Sequence, residues 1–180
     1  MSTNRTQQWI IEATLELLKR KSYSDITIGE ITHKAKIGRR TFYRHFKSKD
    51  DVIKVISMNL IEDFTKSLIE DKAESFEEIM HCYFGFWESN IETFILLKNS
   101  RLLYYIEENI VDLVRVIALR VGHIPNDVEY SMQILQDYKY EFAFKLAGFW
   151  KITLVWSEEI PRKSSYEMHK IISDFVGVIR

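Results

Sequence analysis

Between Glu30 and Asp50 the chain holds no carboxylate, yet it carries Lys34, Lys36, Arg39, Arg40, Arg44, Lys47 and Lys49 together with His45. A 19-residue stretch without one acid, in a sequence that is 28% charged, is not the mixed surface of an ordinary solvated face. Its chemistry is recognition of a polyanion. A guanidinium can donate two parallel hydrogen bonds to O6 and N7 of guanine or clamp a phosphate, whereas a lysine ammonium acts as a point charge. Other reactive constellations are missing. His81 and Cys82 are adjacent, and neighbours on a helix point about 100° apart, so they cannot work as base and nucleophile. Cys82 is the single cysteine, which excludes an internal disulfide, and five scattered histidines give zinc no ligand set. No cation stands beside Cys82 in the sequence to activate it, which favours a plain buried thiol over a redox sensor. Paired carboxylates at metal-ligand spacing and a glycine-rich phosphate loop are also lacking. The expectation is a protein that is not an enzyme and needs no metal or cofactor.

The elements that position the cations begin at recognisable caps. Ser/Thr followed three residues later by Glu/Asp recurs at Thr27/Glu30, Ser48/Asp51, Ser75/Glu78 and Ser164/Glu167, each pair able to satisfy exposed N–H groups at a helix start. A first helix is read over about 4–21, with Ile10, Ala13, Leu17 and Leu18 on one face. The loop Ser22–Asp25 follows. A second helix opens at Thr27 and places Ile28, Ile31 and Ala35 on one side. Lys36, Ile37 and Gly38 suffice only for a tight turn. A third helix spans about 39–45. A long fourth, opened by Ser48, keeps Ile53, Ile56, Leu60 and Phe64 in register to about Glu70. Further helices are read over about 75–89, 91–99, 100–121, 127–157 and 164–179, with Pro125 and Pro161 in the last two connections. Over 137–158 the pattern is apolar on most sides, so that helix must be covered on two faces.

A capped short helix, a three-residue turn and a second short helix, packed on a preceding amphipathic helix, form a helix-turn-helix arrangement. At 100° per residue Phe42 and Phe46 share a face and point to the core with Ile37, which leaves Arg40 and Arg44 nearly opposite and Thr41 and Tyr43 on the flanks. Arg39, Arg40 and Arg44 are the candidates for reading bases. Thr41, the Tyr43 hydroxyl, His45 and Lys49 suit phosphate oxygens, and Thr27 offers a hydroxyl to another.

Residues 5–54 resemble the N-terminal DNA-binding domain of TetR/AcrR-type transcriptional regulators. The resemblance is carried by Ile10–Leu18, Thr27–Ile31 and above all Thr41-Phe42-Tyr43-Arg44-His45-Phe46-Lys47-Ser48-Lys49. It implies an all-helical homodimer whose three small N-terminal helices bind an operator half-site, while a larger C-terminal domain dimerises and holds an inducer. Carried over by position, the family's DNA contacts fall on Thr27, Arg39, Arg40, Thr41, Tyr43, His45 and Lys49. The sequence departs from the pattern in its turn, with Lys36 where a glycine is usual and Gly38 where a capping residue such as serine is usual. Either Lys36 takes a left-handed backbone angle or Gly38 supplies the turn's freedom. Gly29, near the start of the second helix, has no side chain to reach a base.

Charge divides the chain in the same place. Residues 1–54 carry a net +6 and 55–180 a net −7, with 5 aromatic residues in the first part and 19 in the second. Six glycines, two prolines and an abundance of Leu, Ile, Glu and Lys favour an all-α chain. The expected architecture is a helix-turn-helix domain over 1–47, joined by the long fourth helix to a helical dimerisation and effector domain over 48–180. The absence of a flexible linker couples the two mechanically. Leu146–Trp156, Pro161 and the last amphipathic helix resemble, more weakly, the final two helices of family members that dimerise through a four-helix bundle. Phe142, Phe149, Trp156, Ile172 and Phe175 are the interface candidates, with monomer core as the competing assignment. Tyr83, Phe86, Trp87, Arg101, Tyr104, Tyr105 and Tyr138 are candidates to line a pocket for an aromatic or lipophilic effector, with plain core packing again the alternative.

The sequence thus points to a ligand-responsive DNA-binding regulator, most simply a repressor, acting as a homodimer on a palindromic operator. The alternative is a helical adaptor or co-activator working through a protein partner. No apolar run approaches a membrane span and Met1–Lys19 lacks the pattern of a signal peptide, so the expected setting is the cytoplasm without membrane association.

Overall fold

The computed structural model describes residues 3–108 and 139–178. Among them every regular element is helical: α1 (Thr3–Leu18), α2 (Ile28–Lys34), α3 (Arg39–His45), α4 (Lys49–Glu70), α5 (Phe76–Ser89), α6 (Ile91–Asn99), α7 (Tyr104–Glu107), α8 (Lys139–Trp156) and α9 (Ser165–Val178). A single 3-10 turn, Tyr23–Asp25, interrupts the loop before α2. The all-α fold with an N-terminal helix-turn-helix module is therefore as the sequence indicates.

The four capping boxes form. Thr27 and Ser75 accept from the backbone N–H of Glu30 and Glu78, whose carboxylates return to the cap N–H groups. Ser48 pairs reciprocally with Asp51, and Ser164 with Glu167. Helix ends follow a different rule. Lys36, Lys72 and Arg101 all have positive φ, at 53°, 51° and 59°. Each follows a helix and is flanked by the paired backbone bonds of a Schellman motif: Lys36 N–H to His33 and Ile37 N–H to Thr32, Lys72 to Ile69 and Ala73 to Leu68, Arg101 to Lys98 and Leu102 to Leu97. α6 stops at Asn99 as expected, and the Arg101 motif corrects only the start of the helix read over 100–121: the chain regains helical form at Tyr104, in α7, and 109–121 lie outside the described residues.

The residues fall into two compact units, Met1–Leu60 with Glu92–Asn109, and Ile61–Ile91 with Ile110–Arg180. In the first, α1, α2 and α3 pack together over Ile10, Ala13, Ile26, Ile31, Phe42 and Phe46, all buried. The start of α4 adds Val52, Ile53 and Ile56 to the buried set. In the second, α5 lies against α9. Its core is aromatic: Phe64 contacts Tyr83 and Phe86, Phe84 meets Trp156 edge-on, and Phe149 contacts both Phe76 and Tyr83. Among the described residues no helix is long and apolar enough to cross a membrane.

Candidate nucleic-acid interface

The geometry of α3 follows from its underside. Phe42 is fully buried and Phe46 nearly so, their rings 5.9 Å apart. The opposite face carries Arg40 and Arg44, both exposed, and among the described residues neither guanidinium has a hydrogen bond or ion pair. Tyr43 is 56% exposed and its ring rests edge-on against Phe42 at 5.6 Å. Thr41 is half-buried. His45 is half-buried too, with Nε2 enclosed and without a hydrogen-bond partner among the described residues.

The turn before α3 keeps its shape through Lys36, whose left-handed angle is the alternative the chain adopts; Gly38 is extended, with φ −81° and ψ 154°. Gly38 caps α3 with its carbonyl alone, which accepts from Thr41 and Phe42 N–H. Arg39, the first residue of α3, does not project beside Arg40. Its guanidinium lies back over Gly29, so that a Cβ at Gly29 would stand 3.1 Å from Nη2 and 3.7 Å from the Thr27 hydroxyl. The bare α-carbon at position 29 makes room for that side chain. The sequence exposes the missing side chain of Gly29 but not its use, since the residues are ten positions apart.

Thr27 is exposed and both accepts from Glu30 N–H and donates to the Glu30 carboxylate at 2.8 Å. Lys21 donates to the same carboxylate at 2.7 Å, and this bond, with those from Thr27, holds Glu30 down at a pKa of about 2. Lys49 is turned inward. Its ammonium donates to the carbonyls of Tyr23, Ile26 and Ser24 at 2.7, 2.9 and 3.2 Å and sits 4.4 Å from the centre of the Tyr23 ring. Asp50 accepts from Tyr23 at 2.5 Å and from Tyr105 at 3.2 Å through one oxygen. Burial first, and then the Asp50 carboxylate, push the Tyr23 hydroxyl well above its ordinary range; burial leads the rise of Tyr105 as well.

The effector candidates separate. Tyr83 and Trp87 are buried and Phe86 half-buried in the second unit, with the Tyr83 hydroxyl 2.7 Å from that of Thr153. Burial raises Tyr83 to about 12. Arg101, Tyr104 and Tyr105 belong to the first unit, where Arg101 is exposed and Tyr104 stacks on Tyr105 at 4.0 Å. Tyr138 lies outside the described residues. Of the interface candidates, Trp156 is 0% exposed and donates through its indole to the Lys163 carbonyl, and Ile172 is 5% exposed, so both are packed within the protomer. Phe149 is half-buried among Phe76 and Tyr83, and Phe175 is 61% exposed. Phe142 lies on α8, and its side chain is outside the described set. The Cys82 thiol donates to Asp71 at 3.3 Å, and burial with that carboxylate raises it to about 11, which keeps it protonated near neutrality.

Comparison with known proteins bears on this module. The model for "Bacterial regulatory proteins, tetR family" matches residues 10–56. The chain is 26% identical over 107 residues, 59% of its own length and 50% of the relative's, to the HTH-type dhaKLM operon transcriptional activator DhaS of Lactococcus lactis subsp. lactis (strain IL1403). It is 25% identical over 76 residues, 42% of its length and 40% of the relative's, to the uncharacterized HTH-type transcriptional regulator YvkB of Bacillus subtilis (strain 168). These matches span half or less of each relative. No solved structure matches significantly. The N-terminal module, in which Phe42 and Phe46 seat a helix whose Arg40 and Arg44 have no partner among the described residues, thus matches the tetR family of bacterial regulatory proteins over residues 10–56.

Proposed function

We propose that the protein is a sequence-specific DNA-binding transcriptional regulator that acts as a homodimer on a palindromic operator. The observation that carries this reading is the pair of exposed guanidinium groups, Arg40 and Arg44, opposite the buried Phe42 and without a partner among the described residues. An uncompensated arginine pair on a short, firmly anchored helix suits the major groove, where bidentate bonds to guanine discriminate by about 1–3 kcal/mol each. Arg39, Thr41 and Tyr43 flank that pair and take phosphate oxygens, as does Thr27 once its hydroxyl turns from the Glu30 carboxylate, and these contacts fix register without specifying sequence.

Self-association is supported by apolar side chains left uncovered on the last two helices. On α8, Tyr140 and Phe144 are each 79% exposed and Val155 is 50% exposed. At 100° per residue they fall within about 60° of one another. Gly148 borders the same stripe, about 20° beyond Val155, and a Cβ there would meet nothing within 4 Å. On α9, Ile171 and Phe175 are exposed. Two such faces brought together remove apolar surface from water and place two recognition helices on one duplex.

Response to a small-molecule effector is supported by α4, one uninterrupted helix whose first part belongs to one unit and whose remainder belongs to the other. A ligand with unequal affinity for two states of the second unit shifts α4 between them. The sign of regulation depends on where the operator lies relative to the promoter, and DhaS, one relative, is named an activator. A regulator of this kind works in the cytoplasm. The test is a mobility shift against the DNA upstream of its own gene at rising salt. Binding that weakens steeply with salt and loses sequence preference in Arg40→Ala supports the reading, and equal affinity for all duplexes in both proteins contradicts it.

A further inference from the structure

The last cation of the basic stretch is held in a way that the exposed arginines are not. A lysine ammonium has three N–H donors. Those of Lys49 meet three carbonyls, of Tyr23, Ser24 and Ile26, at 2.7 to 3.2 Å, with the Tyr23 ring against the charge. No donor is left over for a phosphate. The neighbouring Asp50 takes the hydroxyl hydrogens of Tyr23 and Tyr105 on one oxygen. Two consecutive residues at the start of α4 therefore gather the loop that leads into Thr27 and the short α7, elements 26 and 55 positions away in the chain.

We propose that Lys49 and Asp50 are positioning residues for DNA binding, bracing the 22–26 loop and α7 against the root of α4, and that Lys49 does not neutralise a phosphate. The proposal rests on the DNA-binding reading and adds a division of labour to it. Arg44, exposed and unpaired among the described residues, interacts with DNA directly; Lys49 acts through the backbone that carries Thr27. Replacing Lys49 frees three carbonyls on the loop, and the loop's own bonds, Asp25 N–H to Ser22 and Ile26 N–H to Tyr23, lose their backing. Replacing Tyr105 by phenylalanine removes only the hydroxyl that ties α7 to Asp50 and alters no charge.

Salt distinguishes a contact from a brace. A lysine on a phosphate releases a counterion, so its removal lowers the slope of log affinity against log salt by about one, whereas a brace lowers affinity and leaves the slope unchanged. The experiment uses the 180-residue chain, Lys49→Gln, Tyr105→Phe and Arg44→Gln, with a duplex recovered from a random-sequence library by the unaltered protein. Lys49→Gln is expected to weaken binding about tenfold with the parental slope, and Tyr105→Phe several-fold with the parental slope, both keeping the parental sequence preference, which Arg44→Gln loses. A slope lowered by about one in Lys49→Gln overturns the proposal, as does unchanged affinity in either Lys49→Gln or Tyr105→Phe. If the unaltered chain recovers no duplex, the DNA-binding reading fails on its own. The brace is then decided by hydrogen exchange at the Asp25 and Ile26 amides, expected to quicken at least threefold in both variants; unchanged exchange refutes it. A melting curve for each variant separates these outcomes from global unfolding, and Tyr105→Phe keeps the test decisive if Lys49→Gln does not fold.

Discussion

Arg39 lies across Gly29: a Cβ built on the glycine would come within 3.1 Å of the guanidinium Nη2. The obstacle is the far end of a flexible side chain, so a substitution at Gly29 moves the arginine rather than the backbone. Gly29→Ala is expected to keep or slightly raise stability, since alanine gains as much as about 1 kcal/mol over glycine in a helix. At the same time it displaces Arg39 from Thr27 and weakens DNA binding uniformly across sequences. Thermal melts and binding to specific and random duplexes check both halves. A variant that binds like the parent would mean that the resting place of Arg39 has no bearing on recognition.

Lys36 holds a left-handed angle where glycine pays no steric cost. Lys36→Gly is expected to stabilise the chain by about 1 kcal/mol, seen as a rise in Tm of roughly 2–4 °C, and Lys36→Val to lower it. Gly38→Ser meets open space and adds a side-chain cap to α3, worth a few tenths of a kcal/mol.

The same contrast explains what the sequence makes legible. Helix starts are readable because the signal is in side chains: Thr27/Glu30, Ser48/Asp51, Ser75/Glu78 and Ser164/Glu167 all form their reciprocal bonds. Helix ends are marked less directly: the stops at Glu70 and Asn99 fall where periodicity lapses, but the left-handed angles of Lys72 and Arg101 carry no glycine to announce them, and the delay of the next helix to Tyr104 is not visible. Helical periodicity alone separates Phe42 from Arg40 and Arg44, so the exposed face of α3 can be read from spacing. It cannot reveal that Lys49 turns to carbonyls 23 to 26 residues away, or that Arg39 folds over Gly29. In α8 the apolar residues run around most of the helix, so the pattern does not tell Trp156, which is buried in the protomer, from Phe144, which is not. Tyr105 and Tyr83 look alike in sequence. One ties to Asp50 in the first unit and the other to Thr153 in the second.

Phe42 anchors α3 from the inside, fully buried against Phe46. Phe42→Ala is expected to cost about 3–5 kcal/mol, and Phe42→Leu considerably less. Circular dichroism melts measure the loss. DNA binding in the alanine variant should fall at every salt concentration, because the platform is lost rather than a contact.

Acid should loosen the start of α2. Glu30 is held down at about 2 by Lys21 and by the Thr27 hydroxyl and N–H, against an ordinary value of 4.5. A carboxylate whose folded value is depressed contributes stability that is fully present above its unfolded value and is lost as pH falls towards the folded one. Glu78 and Glu167, depressed chiefly by bonds from the backbone N–H groups at the starts of α5 and α9, act in the same direction. Stability should therefore decline from about pH 5 towards pH 2. Glu30→Gln should be less stable near neutrality and show a flatter decline, measured by melting across that range. A parallel decline in the two proteins would contradict this role of Glu30.

The central claim, that the exposed arginines on α3 read a duplex, is met most directly by selecting duplexes from a random library with the unaltered chain and with the double variant Arg40→Ala, Arg44→Ala. The account predicts that the unaltered chain enriches an inverted repeat with half-sites about one helical turn, roughly 34 Å, apart, and that the variant enriches no sequence. Failure of the unaltered chain to enrich any sequence, or recovery of the same repeat by both proteins, would contradict it.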